Sequence, residues 1–498
     1  MVNIKERILH GTLWTFAGKI GVKVLGFIVG IIMARLLIPA DFGYVVTIST
    51  FTGVAGLFAS GGMGNALVRA KNLSAGDYST VFVAQFAICS LIYSFFYLIA
   101  PLFAMWFDDP LYEPLLKISA LSFFIRPFKS VATSKINREM RFRALSGITL
   151  LAAVTSSAAG IILALRNCGP WSLVISGLIG GAVSAPISML IAGWTPKFAL
   201  DTSRLHELAR TGLKFSASDI VDYFRLQSAN VFISHTIGPA ATGIYNRAHS
   251  LSQMPIELTS GSTYQVLFRG LSKVDSTRQA RELFLKTITL LALYSTPIYV
   301  AIWWLADVFI VILYGEKWRF TAEVIEILAL NGLYTIGPAC GAVIAARGAL
   351  GKALIIKVEA LVILLLALFL GVKYGVSTAA WIIVATRLYL NLRIIRLVSR
   401  TLNLKSRDIA SAFFPAYLTS MVLFCAFYLV DLAYSYLAFA SNDATYFFIM
   451  AAAAMCVTMV FTMLTKQNTI RNEKLRWVNW VISTIKFISE KTKSRLIG

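Results

Sequence analysis

Two lysines lie inside an apolar segment near the start of the chain. Lys19 and Lys23 are four residues apart, so on a helix they share one face. The surrounding segment, from Gly11 to Pro39, is long enough to cross a membrane. Lys19 can reach the interface by extending its side chain, but a charge as deep as Lys23 costs about 2.5–3.5 kcal/mol at the centre of a span. We therefore expect these lysines to face a wet cavity.

The same segment recurs 200 residues later in a more polar form. The second copy begins at Gly212, and a Pro-x-x-x-Gly turn follows each copy, at Pro39–Gly43 and at Pro239–Gly243. Since the turn lies at the same distance from the start of both copies, the chain is read as a duplication. The first copy is apolar enough to cross the membrane, so the second is predicted to cross it as well.

Charged side chains concentrate in the second copy and in the span after it. Asp219, Asp222 and Arg225 recur every third residue and lie near one helix face, where a carboxylate and a guanidinium could simply neutralise each other. Arg247 and Glu257 follow in the next span. Helices this polar cannot face lipid, so they either line water or pack inside protein. We expect the former.

Further charges lie in later spans. Arg387 is near the middle of the predicted twelfth span, and Lys357 and Glu359 lie within the eleventh. Each could be a structural partner or a ligand contact. Arg126, one turn from an end of the fourth span, is more simply explained by a side chain that extends to the interface.

The composition is that of a polytopic membrane protein. Of 498 residues, 57% are hydrophobic, and the mean hydropathy is +0.73. The fold class is therefore all-α, with about 14 transmembrane helices. The predicted spans lie near 11–37, 43–66, 79–107, 114–131, 145–165, 171–194, 212–236, 242–268, 286–313, 322–346, 352–373, 376–398, 409–431 and 444–465.

The net charge of +22 follows the loops. Basic residues concentrate on one side of the predicted spans, so the positive-inside rule places both termini in the cytoplasm and no nucleic-acid partner is expected. Six spans separate the two copies, which gives them the same orientation. We predict an N-lobe at 1–200 and a C-lobe at 201–400, related by a pseudo-twofold axis along the membrane normal. Residues 401–466 add two spans. Residues 467–498 are predicted to be a basic tail, either an amphipathic helix on the inner leaflet or a partly ordered segment.

No constellation for catalysis is evident in the sequence. Five cysteines and four histidines are scattered, which argues against a disulfide framework or a zinc or haem site. Nucleophile-elbow, P-loop and zinc-protease motifs are absent from the sequence. The chain is therefore predicted to be a non-enzyme without a cofactor or metal.

Three stretches carry a family resemblance. They are ARLLIPADFGYVVTISTF (34–51), FASGGMGNALVRAKNLSAGDYSTVF (58–82) and GIYNRAHSLSQMPIELTSGSTYQVLFRGLSKV (243–274). The chain resembles the polysaccharide transporter family, the Wzx-type flippases of the multidrug/oligosaccharidyl-lipid/polysaccharide exporter superfamily, and within it the colanic acid type.

The resemblance implies a bacterial inner-membrane protein that moves an undecaprenyl-pyrophosphate-linked oligosaccharide across the bilayer by alternating access. It also implies partners that polymerise the repeat unit and set its chain length. Cationic side chains suit a pyrophosphate. We expect substrate binding by Lys19, Lys23, Arg225, Arg247 and Arg387. We expect ion coupling or charge compensation by Asp219, Asp222, Glu257 and Glu359.

Two other functions stay open. A cation-coupled multidrug exporter of the same superfamily would share the architecture, although carboxylates and aromatic residues would be expected to dominate its cavity. A membrane-embedded polysaccharide polymerase or ligase would need a sizeable outer loop with catalytic residues, and the predicted outer loops are short.

Overall fold

The computed structural model describes helices joined by short turns. Described residues are 4–60, 63–70, 73–274, 276–436 and 445–454, and within them the regular elements are all helical. The all-α fold class is confirmed. The helices are α1 (Ile4–Leu36), α2 (Pro39–Ser60), α3 (Met63–Arg69), α4 (Ala75–Trp106), α5 (Tyr112–Ala120), α6 (Ser122–Arg138), α7 (Phe142–Leu165), α8 (Trp171–Ala192), α9 (Thr202–Thr236), α10 (Pro239–Leu271), α11 (Thr277–Tyr314), α12 (Phe320–Ala329), α13 (Gly337–Ala346), α14 (Leu350–Gly371), α15 (Val376–Leu402), α16 (Ser406–Tyr436) and α17 (Thr445–Ala454).

Seven of the described helices are long and apolar enough to cross a membrane. They are α2, α4, α7, α8, α11, α14 and α16, and a bent pair formed by α12 and α13 would make an eighth. Helices α9 and α10 have 35 and 33 residues, which is ample length for a bilayer, but their charges lower their hydropathy. The chain is thus a multi-pass membrane protein, and the count of fourteen crossings stays a prediction.

Two predicted spans are broken. The segment predicted as span four consists of α5 and α6, which are separated by Leu121 alone. The segment predicted as span ten bends by 42° between α12 and α13, where a 3₁₀ turn covers Leu330–Tyr334. Gly332 in this turn is required by packing, since a methyl group there would lie 1.8 Å from the Tyr299 ring.

The helix boundaries confirm the equivalence of the two sequence copies. Helix α1 ends at Leu36 and α9 at Thr236, while α2 begins at Pro39 and α10 at Pro239, so each boundary recurs 200 residues later. A shared pattern of helix, turn and helix is what a duplication predicts.

The two turns of the duplication pack against each other. A methyl group on Gly43 would lie 1.7 Å from the carbonyl oxygen of Pro239, and one on Gly243 would lie 1.9 Å from that of Pro39. Each glycine thus faces the proline of the other copy. This exchange of equivalent contacts is what a local twofold relation between the two helix pairs produces.

The described chain forms two compact units. The first contains Met1–His249, Leu313–Val324 and Lys357–Ile383, and the second contains the rest: Ser250–Ile312, Ile325–Ile356 and Val384–Gly498. The lobes at 1–200 and 201–400 rest on the sequence repeat and stay a prediction. The tail at 467–498 and most of the fourteenth span lie outside the described residues.

We expect alanine at Gly43 or Gly243 to destabilise the protein by about 1–3 kcal/mol, because the added methyl group overpacks a contact between two backbones. The measurement is the thermal unfolding midpoint of the detergent-solubilised protein. Gly21→Ala is the matched control, since nothing lies within 4 Å of its new methyl group. Alanine in a helix is favoured over glycine by about 0.5–1 kcal/mol, so this control should be neutral or stabilising. Equal midpoints for all three variants would contradict the close contact of the turns.

Candidate substrate-binding site

A carboxylate on α9 holds two cations in the first unit. Asp222 Oδ2 lies 2.6 Å from Lys357 Nζ, and Asp222 Oδ1 lies 3.5 Å from Arg225 Nη2. The three side chains are between 20% and 31% exposed, so water screens them only partly. One carboxylate thus contacts two cations. The neutralisation considered for Asp222 and Arg225 from the sequence does occur, and Lys357 joins it.

Part of Arg225 is free to bind something else. Its Nε atom is buried and makes no hydrogen bond within the described structure. A buried donor without a partner costs free energy, so such a group calls for an explanation in a ligand or a water molecule. An anion that approached this guanidinium would satisfy Nε and compete with Asp222 for the remaining donors.

Arg247 has a different environment. Its guanidinium lies over the ring of Phe42, 4.0 Å from the ring centroid, and Nη1 is 3.6 Å from where a methyl group on Gly30 would lie. Within the described residues it makes no ion pair with a carboxylate. It is about 12 Å along α10 from Pro239, at 1.5 Å rise per residue, so it lies well inside this helix.

Aromatic packing fixes the position of Arg247. Phe42 meets Trp318 edge to face at a centroid distance of 5.4 Å, and Trp318 donates a 2.9 Å hydrogen bond to the carbonyl oxygen of Ala34. Trp318 is fully buried. A cation over an aromatic face in a dry site is stabilised without losing its charge. The contact with Phe42 thus suits a residue that keeps its positive charge.

Other polar residues of α9 pack inside protein. Asn230 donates a 2.6 Å hydrogen bond to Gln227 Oε1, and Ser234 lies 2.7 Å from the hydroxyl of Thr47 and 2.9 Å from that of Tyr112. Asn230 and Ser234 are buried. These groups are held between helices, although Asn230 Oδ1 has no hydrogen-bond partner among the described residues. The expectation of a water-lining face stays a prediction.

The remaining predicted residues of the first unit are less defined. Lys23 and Glu359 are partly buried, and each takes part in an interaction. The side chains of Lys19 and Asp219 lie outside the described part of the chain. Lys23, Asp222, Arg225 and Arg247 thus all belong to the first unit.

Arg387 belongs to the second unit. Its Nη2 donates a 3.1 Å hydrogen bond to Gln253 Oε1. Glu257, one helical turn beyond Gln253, is exposed and takes part in an interaction. Arg387 and Glu257 were both expected from the sequence, whereas Gln253, the hydrogen-bond partner of Arg387, was not among the predicted site residues.

Arg126 was missed by the sequence analysis. Its guanidinium lies against α2, where a methyl group on Gly56 would be 2.1 Å from Nη1. Tyr223 occupies the neighbouring place beside Gly53 and donates a 2.8 Å hydrogen bond to the carbonyl oxygen of Thr50. The Gly-x-x-Gly spacing on α2 was a signal for close approach of other groups.

Comparison with known proteins decides the family. Residues 32–323, more than half of the chain, match the family described as polysaccharide biosynthesis protein. The chain belongs to this family. The resemblance to the polysaccharide transporters is therefore confirmed. The matched region includes Asp222, Arg225 and Arg247, while Lys357 and Arg387 lie beyond it.

Relatives of the polysaccharide biosynthesis protein family and one solved structure are similar over most of the chain. The succinoglycan biosynthesis transport protein ExoT of Rhizobium meliloti is 26% identical over 320 residues, which are 64% of this chain and 65% of that protein. The lipopolysaccharide biosynthesis protein WzxC of Escherichia coli is 20% identical over 354 residues, 70% and 71% of the two chains. The solved structure of the lipid II flippase MurJ in an inward closed conformation is similar with a TM-score of 0.73 and 16% sequence identity. The match covers 90% of this chain and 98% of that one. This likeness establishes the fold alone.

We expect Asp222→Asn to destabilise this polysaccharide biosynthesis protein by about 1–3 kcal/mol, between the values for exposed and buried ion pairs, because it removes the carboxylate that pairs with Lys357 and Arg225. Lys357→Met should cost less, since Asp222 keeps Arg225. The double variant Asp222→Asn, Lys357→Met should recover part of the loss. The measurement is a double-mutant cycle on the thermal midpoint, and strict additivity would contradict a direct pair.

Proposed function

We propose that this protein is a flippase for an undecaprenyl-pyrophosphate-linked oligosaccharide in the bacterial inner membrane. It would carry the repeat unit of a surface polysaccharide from the cytoplasmic to the outer leaflet by alternating access. Family membership and the transport and biosynthesis names of the relatives support this proposal. The fold shared with a lipid II flippase is consistent with it.

The proposal depends most on the environment of Arg247, which lies on an aromatic ring and pairs with no carboxylate among the described residues. A guanidinium inside a membrane span normally has a carboxylate or backbone partner, because the charge is otherwise costly. Arg247 instead rests on Phe42, and its charge is uncompensated by any described carboxylate. A pyrophosphate would supply the missing negative charge and accept hydrogen bonds from the guanidinium in bidentate geometry. A cationic drug would be repelled here.

Asp222 supports a mechanism of release. In the structure, this carboxylate pairs with Lys357 and Arg225. An arriving pyrophosphate would compete for the same donors, so binding would replace internal ion pairs with ligand contacts. When the site opens to the other side, Asp222 would recapture the cations and help to expel the anion. Transport requires this balance, because a site that binds too tightly cannot release its substrate.

The topology proposed for this function places both termini in the cytoplasm, as the distribution of basic residues suggests. The turns at Pro39–Gly43 and Pro239–Gly243 then lie at the outer surface. On that side, a polysaccharide polymerase and chain-length machinery would consume the delivered units. Such consumption would draw transport forward without an ATP site on this chain.

In the native bacterium, we expect Arg247→Gln to reduce surface polysaccharide at least tenfold, because a charge-assisted contact to the substrate is lost. Arg247→Lys should retain part of the activity, since it keeps the charge but loses the planar fork. The measurement is the leaflet distribution of lipid-linked oligosaccharides in a deletion strain complemented with each variant. Wild type should clear the cytoplasmic leaflet, whereas Arg247→Gln should leave the repeat unit there.

The protein level and the thermal unfolding midpoint of each Arg247 variant are measured as controls. They are needed because Arg247 packs on Phe42 and its substitution also affects stability. Arg278→Gln is a matched substitution, because Arg278 is highly exposed and its removal should leave export unchanged. Full export by Arg247→Gln at a normal protein level would remove this residue from the mechanism. Normal surface glycan in the deletion strain, together with altered tolerance to cationic drugs, would favour the drug exporter instead.

A further inference from the structure

A groove with a basic end lies between α7 and α8 in the first unit. Its volume is about 570 Å³, within the range of about 300–1,000 Å³ that is usual for small-molecule sites. Helix α7 begins at this end and α8 finishes there, so the groove follows the first turns of one helix and the last turn of the other. It is lined by Arg141, Arg143, Ala144, Gly147, Ile148, Leu151, Ile187 and Ile191.

The groove opens on a surface that suits lipid. Both α7 and α8 are apolar enough to cross a membrane. Leu151 in the wall of the groove is 45% exposed, and Leu150 beside it is 41% exposed. Near the end of α8, Leu190 is 80% exposed next to the lining residue Ile191. Apolar side chains exposed together on membrane helices mark a face that meets the bilayer, so a lipid can enter the groove from the side.

Two arginines form the polar end of the groove. Arg141 directly precedes α7 and Arg143 is the second residue of that helix, and both side chains are exposed. Arg141 Nη1 donates hydrogen bonds of 2.7 Å to the carbonyl oxygen of Ile191 and of 3.4 Å to Glu139 Oε2. The bond to Ile191 holds the guanidinium between the ends of the two helices. Among the described residues the Arg141 side chain bonds through Nη1, so Nε and Nη2 can donate to a ligand.

The chain that leads into α7 is rich in positive charge. Residues 129–143 contain five basic residues and one acidic residue, Glu139. Lys135 lies at the same end of α8, since its Nζ donates a 3.3 Å hydrogen bond to the carbonyl oxygen of Gly193. The first N–H groups of α7 add the positive end of a helix dipole. This end of the groove therefore suits an anionic group.

We propose that the groove binds an anionic phospholipid of the bilayer. Its phosphate would contact Arg141 and Arg143, since arginine binds phosphate oxygens through charge-assisted and often bidentate hydrogen bonds. An acyl chain would lie along the apolar wall, which runs about 12 Å from Arg143 to Leu151 at 1.5 Å rise per residue. Basic pockets between membrane helices on the cytoplasmic side bind anionic lipid headgroups. The topology proposed above places this groove at the inner leaflet.

The headgroup and the location together select this occupant. A zwitterionic headgroup fits less well, because the ammonium group of phosphatidylethanolamine would lie among arginine and lysine side chains. The groove is also separate from the residues proposed to hold the transported pyrophosphate. Arg247 packs on Phe42 of α2, whereas the lining of the groove comes from the facing ends of α7 and α8. The inference thus goes beyond the proposed function and adds a site for a lipid that is not transported.

The test compares phosphatidylglycerol with phosphatidylethanolamine on the purified full-length protein in detergent. The apparent Kd for each lipid is measured by native mass spectrometry. Wild type should bind phosphatidylglycerol at least tenfold more tightly, and the double variant Arg141→Gln, Arg143→Gln should lower this ratio about tenfold, because it removes charge-assisted contacts. The double variant Lys273→Gln, Arg278→Gln is the matched control. It removes two exposed charges from another basic stretch and should leave the ratio unchanged.

Gly147→Leu tests the groove without altering its charge. Nothing lies within 4 Å of a methyl group added at Gly147, so a leucine fits on the helix and fills the groove. It should weaken phosphatidylglycerol binding about tenfold. Gly177→Leu is its control, because Gly177 of α8 also has nothing within 4 Å and does not line the groove. This arm keeps the test valid if the arginine variants do not fold.

Three results would overturn the inference. Equal affinity of wild type for the two phospholipids would contradict an anionic site. A ratio that survives both the arginine double variant and Gly147→Leu would place the site elsewhere. Displacement of phosphatidylglycerol by undecaprenyl diphosphate from wild type, but not from Gly147→Leu, would assign the groove to the transported lipid. The export measured with the Arg247 variants tests the proposed function separately, so either conclusion can fail while the other stands.

Discussion

The reciprocal contact between two Pro-x-x-x-Gly turns is the constraint on which the first unit depends. Each glycine lies against the proline carbonyl of the other turn, so two helix pairs separated by 200 residues meet without intervening side chains. Close approach of backbones at small residues is how membrane helices gain packing energy, because lipid offers no hydrophobic driving force between them. The contact brings α9 and α10 beside α1 and α2. Without this approach, Arg247 could not contact Phe42 and Gly30. Tyr223 likewise could not pack against Gly53.

Positively charged side chains of the first unit are stabilised by two kinds of contact. Asp222 compensates Lys357 and Arg225 by ion pairing, whereas Arg247 and Arg126 lie on aromatic rings. An ion pair must be broken before its members can bind a ligand, which costs free energy. A cation held by an aromatic face needs no such exchange. The two arrangements therefore suit different roles, since the first can respond to a ligand and the second is already available to it.

The duplication made part of this structure predictable from sequence. The shared turn predicted the ends of α1 and α9 within a few residues, because a proline and a glycine constrain the backbone locally. The interruption between α5 and α6 was not predicted, since Leu121 gives no local signal. The 3₁₀ turn at Gly332 had a signal, an Asn-Gly pair, that hydropathy alone overlooked. Local rules therefore located helices better than they located bends.

Contacts between residues far apart in the sequence were harder to predict than helix ends. Asp222 and Lys357 are 135 residues apart, and no periodicity in one sequence relates them. The sequence left the place of Arg126 open for a similar reason: its depth along a helix permitted an interfacial side chain, and the contact with Gly56 of α2 is set by packing. Both cases follow one physical rule. A charge in a membrane protein is located by the group that compensates or shelters it, and that group is set by packing between helices rather than by position along one. Sequence can therefore identify the costly residues of such a protein, whereas a structure is needed to tell those already paired from those still available to a ligand.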